Sequence, residues 1–141
     1  RRSFKMLMKK LLGILVLGLL LSGNAYAKSV KVFIENVKID DVKSKLIGHH
    51  LDLGWDIEEE TNNKITFSQK LEGMEAALVM TLMTGNSYAY ARFIYTILKS
   101  ENGVTVYLST EYFNSVEVTK LDGKKNLEDY QNFLNEFKRS F

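Results

Sequence analysis

Histidines and clustered carboxylates are the residues of this 141-residue chain whose chemistry could be catalytic or metal-binding. Its two histidines, His49 and His50, are adjacent in the sequence. Neighbouring residues on a helix point about 100° apart, so this pair cannot chelate one ion as residues at i and i+4 can. We therefore expect a structural pair, with one histidine half-buried and the other solvated.

The densest acidic run, Glu58–Glu60, offers carboxylates for acid–base chemistry. Neighbouring side chains of a strand point to opposite faces, so at most Glu58 and Glu60 lie together, and a solvated strand end is the simpler interpretation. The sequence also lacks the Gly-x-Ser-x-Gly motif and a glycine-rich phosphate loop. We therefore predict a non-enzymatic protein with no cofactor and no metal. A hydrolase would require a buried polar cluster in a cleft.

Several tyrosines and one arginine have the chemistry of a recognition surface. Tyr88, Tyr90 and Arg92 alternate along one predicted strand, and Tyr107 can lie on the same face of the next strand, with Tyr112 close to its end. Both residue types present apolar area with a polar tip, and both are enriched at recognition surfaces. Two interpretations stay open: the face is exposed and binds a partner, or it lies under a helix.

The two strands that carry these residues form a predicted hairpin over Tyr88–Phe113, around which the fold is built. Asn102-Gly103 is expected to form its tight turn, because both residues accept positive φ angles. The alternation predicts that one face of the first strand is buried, and its residues are Ala89, Ala91, Phe93, Tyr95 and Ile97.

A hairpin alone is barely stable in water, so other elements must cover it. The pattern predicts a strand within Lys28–Lys38, a helix over Asp41–Leu53, a hairpin of Trp55–Glu60 and Lys64–Gln69, a helix over Glu72–Thr84, a strand within Asn114–Lys120 and a C-terminal helix. Asp40 or Asp41 is the expected N-cap of the first helix, and Asn126 that of the last.

This order, β-α-β-β-α-β-β-(β)-α, predicts an α+β two-layer sandwich with an antiparallel sheet and helices on one face. In the second helix, Met74, Met80 and Met83 have two interpretations: an adaptable groove, or ordinary core.

Residues 6–27 have the three parts of a secretory signal peptide. A basic start precedes the apolar run Leu11–Leu21, and Ala25-Tyr26-Ala27 places small residues where a signal peptidase cleaves. The run covers roughly 16 Å as a helix, about half of a bilayer core, which disfavours the alternative of an uncleaved anchor. We therefore expect cleavage after Ala27.

The expected boundaries are a signal peptide over residues 1–27 and one domain over residues 28–141. Met6 or Met8 is a more natural start than Arg1, so residues 1–5 are expected to be an over-extended gene prediction. The chain has no Cys, so neither disulfides nor a lipidated Cys are available. We expect a periplasmic or secreted protein that is not embedded in the membrane after cleavage.

The formal charge of +2 comes from the predicted signal peptide, which holds five basic residues and no acid. Residues 28–141 carry 14 Lys and Arg against 17 Asp and Glu. The basicity therefore gives no reason to expect a nucleic-acid partner.

The segment Leu-Asp-Leu-Gly-Trp-Asp-Ile (residues 51–57), followed by a short turn and Ile65-Thr66-Phe67, resembles the small helix-grip or TBP-like domains of exported bacterial proteins, of the kind found in the BamC envelope lipoprotein. The resemblance covers residues 30–120. The chain differs from BamC in having one such domain and no lipidated Cys. The resemblance implies a non-catalytic binding or assembly role and assigns no functional residue.

We therefore expect an exported domain that binds an envelope protein or component through Tyr88, Tyr90, Arg92 and Tyr107. The alternative is a carrier of a small apolar ligand, held between the sheet and the methionine-bearing helix.

Overall fold

The computed structural model describes residues 28–83 and 88–141, and the predicted signal peptide lies outside these ranges. Within them, six strands and three helices follow the predicted order. The strands are β1 (Val30–Glu35), β2 (Asp56–Glu60), β3 (Lys64–Lys70), β4 (Tyr90–Ser100), β5 (Gly103–Phe113) and β6 (Val118–Lys120). The helices are α1 (Ile39–Asp52), α2 (Gly73–Leu82) and α3 (Lys124–Arg139).

The described strands form one antiparallel sheet in the order β1-β5-β4-β3-β2. The predicted hairpin of β4 and β5 lies at its centre. The outer edge of β5 is shared: β1 pairs with Gly103–Leu108, and β6 pairs with Glu111–Phe113. The short strand that was predicted before the last helix is therefore part of the sheet.

The helices pack on one face of the sheet, so the predicted α+β two-layer architecture is confirmed. From α1, the ring of His50 stacks on Phe67 with 4.0 Å between centroids. From α3, the ring of Tyr130 meets Phe93 at 5.9 Å. The predicted inner face of β4 is fully buried against these helices, from Ala89 to Ile97 at alternate positions.

The turn between β4 and β5 differs from the prediction. Ser100 pairs with Gly103, so Glu101 and Asn102 form the turn and Gly103 is the first residue of β5. None of these residues has a positive φ. Glycine is required at position 103 for another reason, because a Cβ there would lie 2.0 Å from the carbonyl oxygen of Ile34. The missing side chain lets β1 pair along the start of β5.

The predicted helix starts are wrong by a few residues. The N-cap of α1 is Lys38, and Asp41 lies in the first turn, where its carboxylate accepts the Lys38 backbone N–H at 3.2 Å. The acidic side chain still complements the positive end of the helix dipole. The N-cap of α3 is Gly123, so Asn126 lies inside the helix and is buried.

The exposed apolar surface of α2 sets it apart from the other two helices. Val79 is its buried residue, and Met83 is buried just after its end. Three apolar side chains at four-residue spacing are exposed by 79, 45 and 46 %: Met74, Leu78 and Leu82. The methionines therefore divide, with Met83 in the core, Met80 packed against it, and Met74 in solvent.

Candidate functional site

The sheet face opposite the helices carries the predicted binding residues Tyr90, Arg92 and Tyr107, and we call it the open face. Side chains alternate along a strand, so these residues point away from the buried set of β4 and β5. All three are partly exposed, and Tyr88, just before β4, is 61 % exposed. Such exposure favours the interpretation of a recognition surface over that of a face under a helix.

Tyr112 does not belong to the open face. It pairs with Ala91 across the β4–β5 ladder, so its side chain points toward the helices, and it is fully buried.

Tyr90, Phe113 and Arg92 form a layered stack on the open face. Tyr90 and Phe113 are paired across the two strands, and their rings stack with 5.2 Å between centroids and 22° between planes. The guanidinium carbon of Arg92 lies 3.8 Å from the centroid of the Phe113 ring. Cation–π contact and ring stacking hold these flat side chains in place, so the stack is a preorganised platform.

An ion cluster extends from this stack across the sheet. Arg92 faces Glu58 of β2 with two close pairs, Nε to Oε2 at 2.9 Å and Nη2 to Oε1 at 3.0 Å. Its Nη1 also donates to Glu111 of β5 at 2.5 Å, and Glu111 accepts a second ion pair from Lys120 of β6. Two cations and two anions offset each other, so this ion cluster has no net charge.

The charge of Arg92 is firmly held. Burial alone lowers the pKa of its guanidinium, but hydrogen bonds to Glu58 and Glu111 outweigh burial and raise that pKa above the ordinary arginine value. Arg92 therefore acts within the chain as an anchor: Phe113 covers one flat side of its guanidinium, and Glu58 and Glu111 occupy its N–H groups.

Tyr88 extends the surface beyond the strand. The Nζ of Lys70 lies 3.5 Å from the centroid of the Tyr88 ring, and Lys70 is the cross-strand neighbour of Tyr90. Tyr88, Tyr90 and Arg92 therefore lie at one end of the open face.

Tyr107 lies on the open face but at its other end. It pairs with Thr96, whereas Tyr90 pairs with Phe113, six residues further along β5. Six strand residues span about 20 Å. The Nζ of Lys31 lies 6.0 Å from the centroid of the Tyr107 ring. The four predicted residues thus share a face without forming one cluster.

Both histidines are buried, so the expectation that one would be solvated is wrong. His50 is fully buried and shares a hydrogen bond of 2.8 Å with the hydroxyl of Tyr95. Burial, with a smaller effect of the neighbouring His49, lowers the pKa of His50 to about 3. A neutral ring packed among Phe67, Trp55 and Tyr95 is a core residue.

The acidic run of β2 is exposed, as predicted, and each carboxylate faces a different cation. Glu58 faces Arg92 at 2.9 Å, Glu59 faces Lys64 at 3.1 Å, and Glu60 faces Lys43 at 2.8 Å. A register shift between Ile57 and Glu59 accompanies this arrangement. Such a bulge redirects side chains, and here Glu58 reaches the open face while Glu60 reaches α1. The two therefore do not lie together.

A buried polar cluster lies between α3 and the C-terminal end of β5, on the helix side of the sheet. Its buried hydroxyls belong to Thr110, Tyr112 and Tyr130, and those of Thr110 and Tyr130 interact with each other. Both histidines lie elsewhere, in α1, so no imidazole base accompanies these hydroxyls. Burial raises the pKa of the Tyr130 hydroxyl, and the neighbouring Asp129 carboxylate raises it further.

Phe113, Glu111 and Lys120 were not recognised in the sequence as part of the site. The alternation of β5 predicts Glu111 on the face of Tyr107, and Phe113 is the next residue of the same alternation. Their proximity to Tyr90 and Arg92 depends on the register of the hairpin, which the displaced turn changes. The pairing of Glu58 with Arg92 was not predictable from the sequence pattern, because β3 lies between their strands in the sheet.

No protein-family model matches this chain, and no curated protein matches its sequence. None of the helices in residues 28–83 and 88–141 is long and apolar enough to cross a membrane. In the same ranges, no three or more His, Cys, Asp or Glu side chains are grouped so that they could hold a metal ion. The function must therefore be argued from the open face itself.

Proposed function

We propose that the chain is an exported, non-enzymatic domain that binds an envelope protein through its open face. The observation that carries this proposal is the stack of Tyr90, Phe113 and Arg92, which is partly exposed and held by intramolecular contacts. Preformed aromatic and arginine side chains lose little conformational entropy on binding, and they dominate the energetics of protein interfaces.

The polar environment of the stack favours a protein partner over a lipid surface. Around it lie the ion pairs of Glu58, Arg92, Glu111 and Lys120, which form a charged but locally neutral rim. An aromatic centre with a polar rim is the usual anatomy of a protein interface. Tyr88 and Tyr107 extend the surface at the two ends, which gives it the length that a folded partner can cover.

The exported location rests on the sequence of residues 6–27, which lie outside the described residues. The resemblance of residues 30–120 to small envelope domains agrees with it. If residues 1–27 are a signal peptide, the protein isolated from its own compartment begins at Lys28. N-terminal sequencing tests this, and an intact Leu11–Leu21 segment in that protein would contradict it.

Binding is tested with Tyr90→Ala and Tyr107→Ala. Partners are captured from the native envelope with the wild-type domain, and the affinity of each identified partner is then measured with purified variants. An interface tyrosine contributes about 1–2 kcal/mol or more, so Tyr90→Ala should weaken binding at least about ten-fold. Leu51→Ala, on the exposed side of α1, is the matched control and should bind as the wild type does.

Circular dichroism and urea unfolding must accompany these measurements. We expect Tyr90→Ala and Tyr107→Ala to stay folded, because both side chains are only partly buried. If both variants unfold, the tyrosines are core residues and the proposal fails. If the captured partner binds Tyr90→Ala and Tyr107→Ala with unchanged affinity, another surface carries the binding.

The alternative, a carrier of a small apolar ligand, places that ligand between the sheet and α2. A cavity lies beside the first turn of α2, but charged side chains form much of its wall, among them Asp56, Glu72 and Glu75. This lining favours a polar ligand. Native mass spectrometry separates the proposals, since a carrier retains a lipid-sized mass when it is purified from its compartment.

A further inference from the structure

The turn between β4 and β5 places an exposed asparagine directly before a glycine. Glu101 and Asn102 form the turn and are both exposed, and Gly103 follows as the first residue of β5. The side-chain amide of Asn102 forms no hydrogen bond with any residue that the structure describes. This amide is therefore free to turn toward the backbone nitrogen of Gly103.

An asparagine in this position can lose ammonia without an enzyme, which is one reason why asparagine is a thermolabile residue. The backbone nitrogen of Gly103 bonds to the Cγ of Asn102, and the bond from Cγ to the amide nitrogen breaks. That nitrogen leaves as ammonia and takes the proton of the Gly103 N–H. Glycine favours this step, because no side chain hinders its nitrogen.

Water then opens the five-membered imide ring at one of its two carbonyl groups. One opening gives aspartate at position 102. The other gives isoaspartate, in which the main chain runs through Cγ and the former backbone carbonyl becomes a free carboxylate.

Two other asparagines show why Asn102 is the reactive one. The Oδ1 of Asn114 accepts the backbone N–H groups of Val116 and Glu117, each at 2.8 Å, so its side chain is held in place. Asn126 is fully buried, and the N–H that follows it, that of Leu127, donates to the Gly123 carbonyl at 3.0 Å within α3. Neither side chain can reach the next backbone nitrogen without breaking these contacts.

The sheet slows the reaction at Asn102 without excluding it. Gly103 pairs with Ser100 across the turn and with Glu35 of β1, so its nitrogen must leave the ladder before it can attack. Ends of hairpins open locally at a small part of the free energy of global unfolding. The product therefore accumulates slowly with the age of the folded molecule.

The same turn holds the end of β1. The Asn102 carbonyl accepts the Asn36 N–H at 2.8 Å, and the Ile34 carbonyl lies so close to Gly103 that a Cβ there would be 2.0 Å from it. Isoaspartate lengthens the main chain by one carbon between these two contacts, so both cannot be kept. Aspartate leaves the main chain unchanged and adds a negative charge beside Glu101.

We propose that Asn102 is a site of spontaneous deamidation and that its isoaspartate form releases the end of β1 from β5. The reaction needs no binding partner, so this proposal and that of a partner-binding face can fail separately.

Peptide mapping of the full chain tests the site after incubation in mildly alkaline buffer. Mass spectrometry detects the exchange of amide for acid, and a methyltransferase specific for isoaspartate identifies that product. Two hydrogen bonds of about 1 kcal/mol each must break at Asn114, so Asn102 should react about ten-fold faster or more. Asn102→Ser removes the reacting amide and should give no modified product in this peptide.

Hydrogen exchange of the Asn36 amide tests the effect on β1. In the isoaspartate fraction this amide should exchange about ten-fold faster or more, because it loses its acceptor. Asn102→Asp carries the same charge on an unchanged main chain, and it should exchange as the wild type does.

Three results would overturn the proposal. Asn102 could stay intact in the folded chain while it reacts in urea, which would show that the sheet blocks the reaction. Asn114 could react as fast as Asn102. The isoaspartate fraction could exchange the Asn36 amide no faster than Asn102→Asp does.

Discussion

The Nε2 atom of His50 and the hydroxyl oxygen of Tyr95 lie 2.8 Å apart in the interior of the domain. Both residues are fully buried, and the His50 ring also stacks on Phe67. The hydrogen bond satisfies one polar atom on each side, so α1 is fixed to the central strand β4 at this contact. This pair ties the stability of the fold to pH, because its histidine is held neutral.

Acid should destabilise the domain through His50. Its pKa is about 3 in the folded chain against an ordinary value of 6.5. Between these values the unfolded chain binds a proton that the folded chain does not, so the free energy of unfolding falls as pH falls. Above 6.5 the contribution of His50 is complete and constant. Going from about pH 7 to about pH 5.5, the loss from His50 is about 1 kcal/mol.

Urea unfolding at these two pH values measures the loss, and the double variant His50→Phe/Tyr95→Phe is the control. Replacing both partners of a hydrogen bond by apolar groups of similar shape leaves no unsatisfied polar group. The double variant should lose about 1 kcal/mol less than wild type over the same pH change. An equal loss in both proteins would show that His50 titrates normally.

Gly103 should tolerate no side chain. A Cβ at position 103 would lie 2.0 Å from the Ile34 carbonyl oxygen, and backbone cannot yield as a flexible side chain can. The strands β1 and β5 must separate at this end. We expect Gly103→Ala to lower the free energy of unfolding by about 3 kcal/mol.

Gly48→Ala is the matched control. Gly48 lies on the exposed side of α1, and nothing lies within 4 Å of its would-be Cβ. Alanine is the better helix former there, so this variant should gain about 0.5–1 kcal/mol. Urea unfolding that finds the two substitutions equally costly, or equally harmless, would contradict the close approach of β1 to Gly103.

The faces of the strands were predictable from the sequence, because an alternation of two residues needs only local information. Phe93 and Tyr95 could be assigned to the core, and Tyr90 and Arg92 to the opposite face, without knowledge of any partner strand. The turn was not predictable in the same way. Asn102-Gly103 has the composition of a tight turn, but Gly103 is needed for β1, which is distant in sequence.

The burial of both histidines and the ion cluster could not be read from the sequence for the same reason. His49 and His50 are buried on neighbouring faces of α1, which requires cover on more than one side of that helix. The pairing of Arg92 with Glu58 depends on a bulge in β2 and on the intervening strand β3. Contacts between residues that are distant in the sequence leave no periodic pattern in that sequence.

The exposed side of α2 should tolerate charge. Leu78 is 45 % exposed, and Leu134 of α3 is fully buried. We expect Leu78→Lys to change the free energy of unfolding by no more than about 0.5 kcal/mol, and Leu134→Ala to lower it by about 2–5 kcal/mol. Thermal unfolding compares the two variants. A large loss for Leu78→Lys would mean that α2 packs on the domain through that side.

Removal of Arg92 should destabilise the domain far more than removal of an exposed arginine. Glu111 is only 3 % exposed, and Arg92→Met leaves its carboxylate with Lys120 alone. Breaking a buried pair by removing one partner costs about 3–5 kcal/mol, and since Lys120 remains we expect about 3 kcal/mol. Methionine keeps much of the apolar stem, so the loss reports mainly on the charge.

Arg139→Met is the control for that measurement. Arg139 pairs with Glu136 at 2.8 Å on the solvent side of α3, and its side chain is 71 % exposed. An exposed pair of this kind contributes about 0–1 kcal/mol. If urea unfolding gives Arg92→Met a loss no larger than that of Arg139→Met, Arg92 is not an anchor of the sheet. Replacing both partners by apolar residues, as in Arg92→Met/Glu111→Leu, should recover part of the lost free energy of unfolding. In that double variant no buried charge remains without its partner.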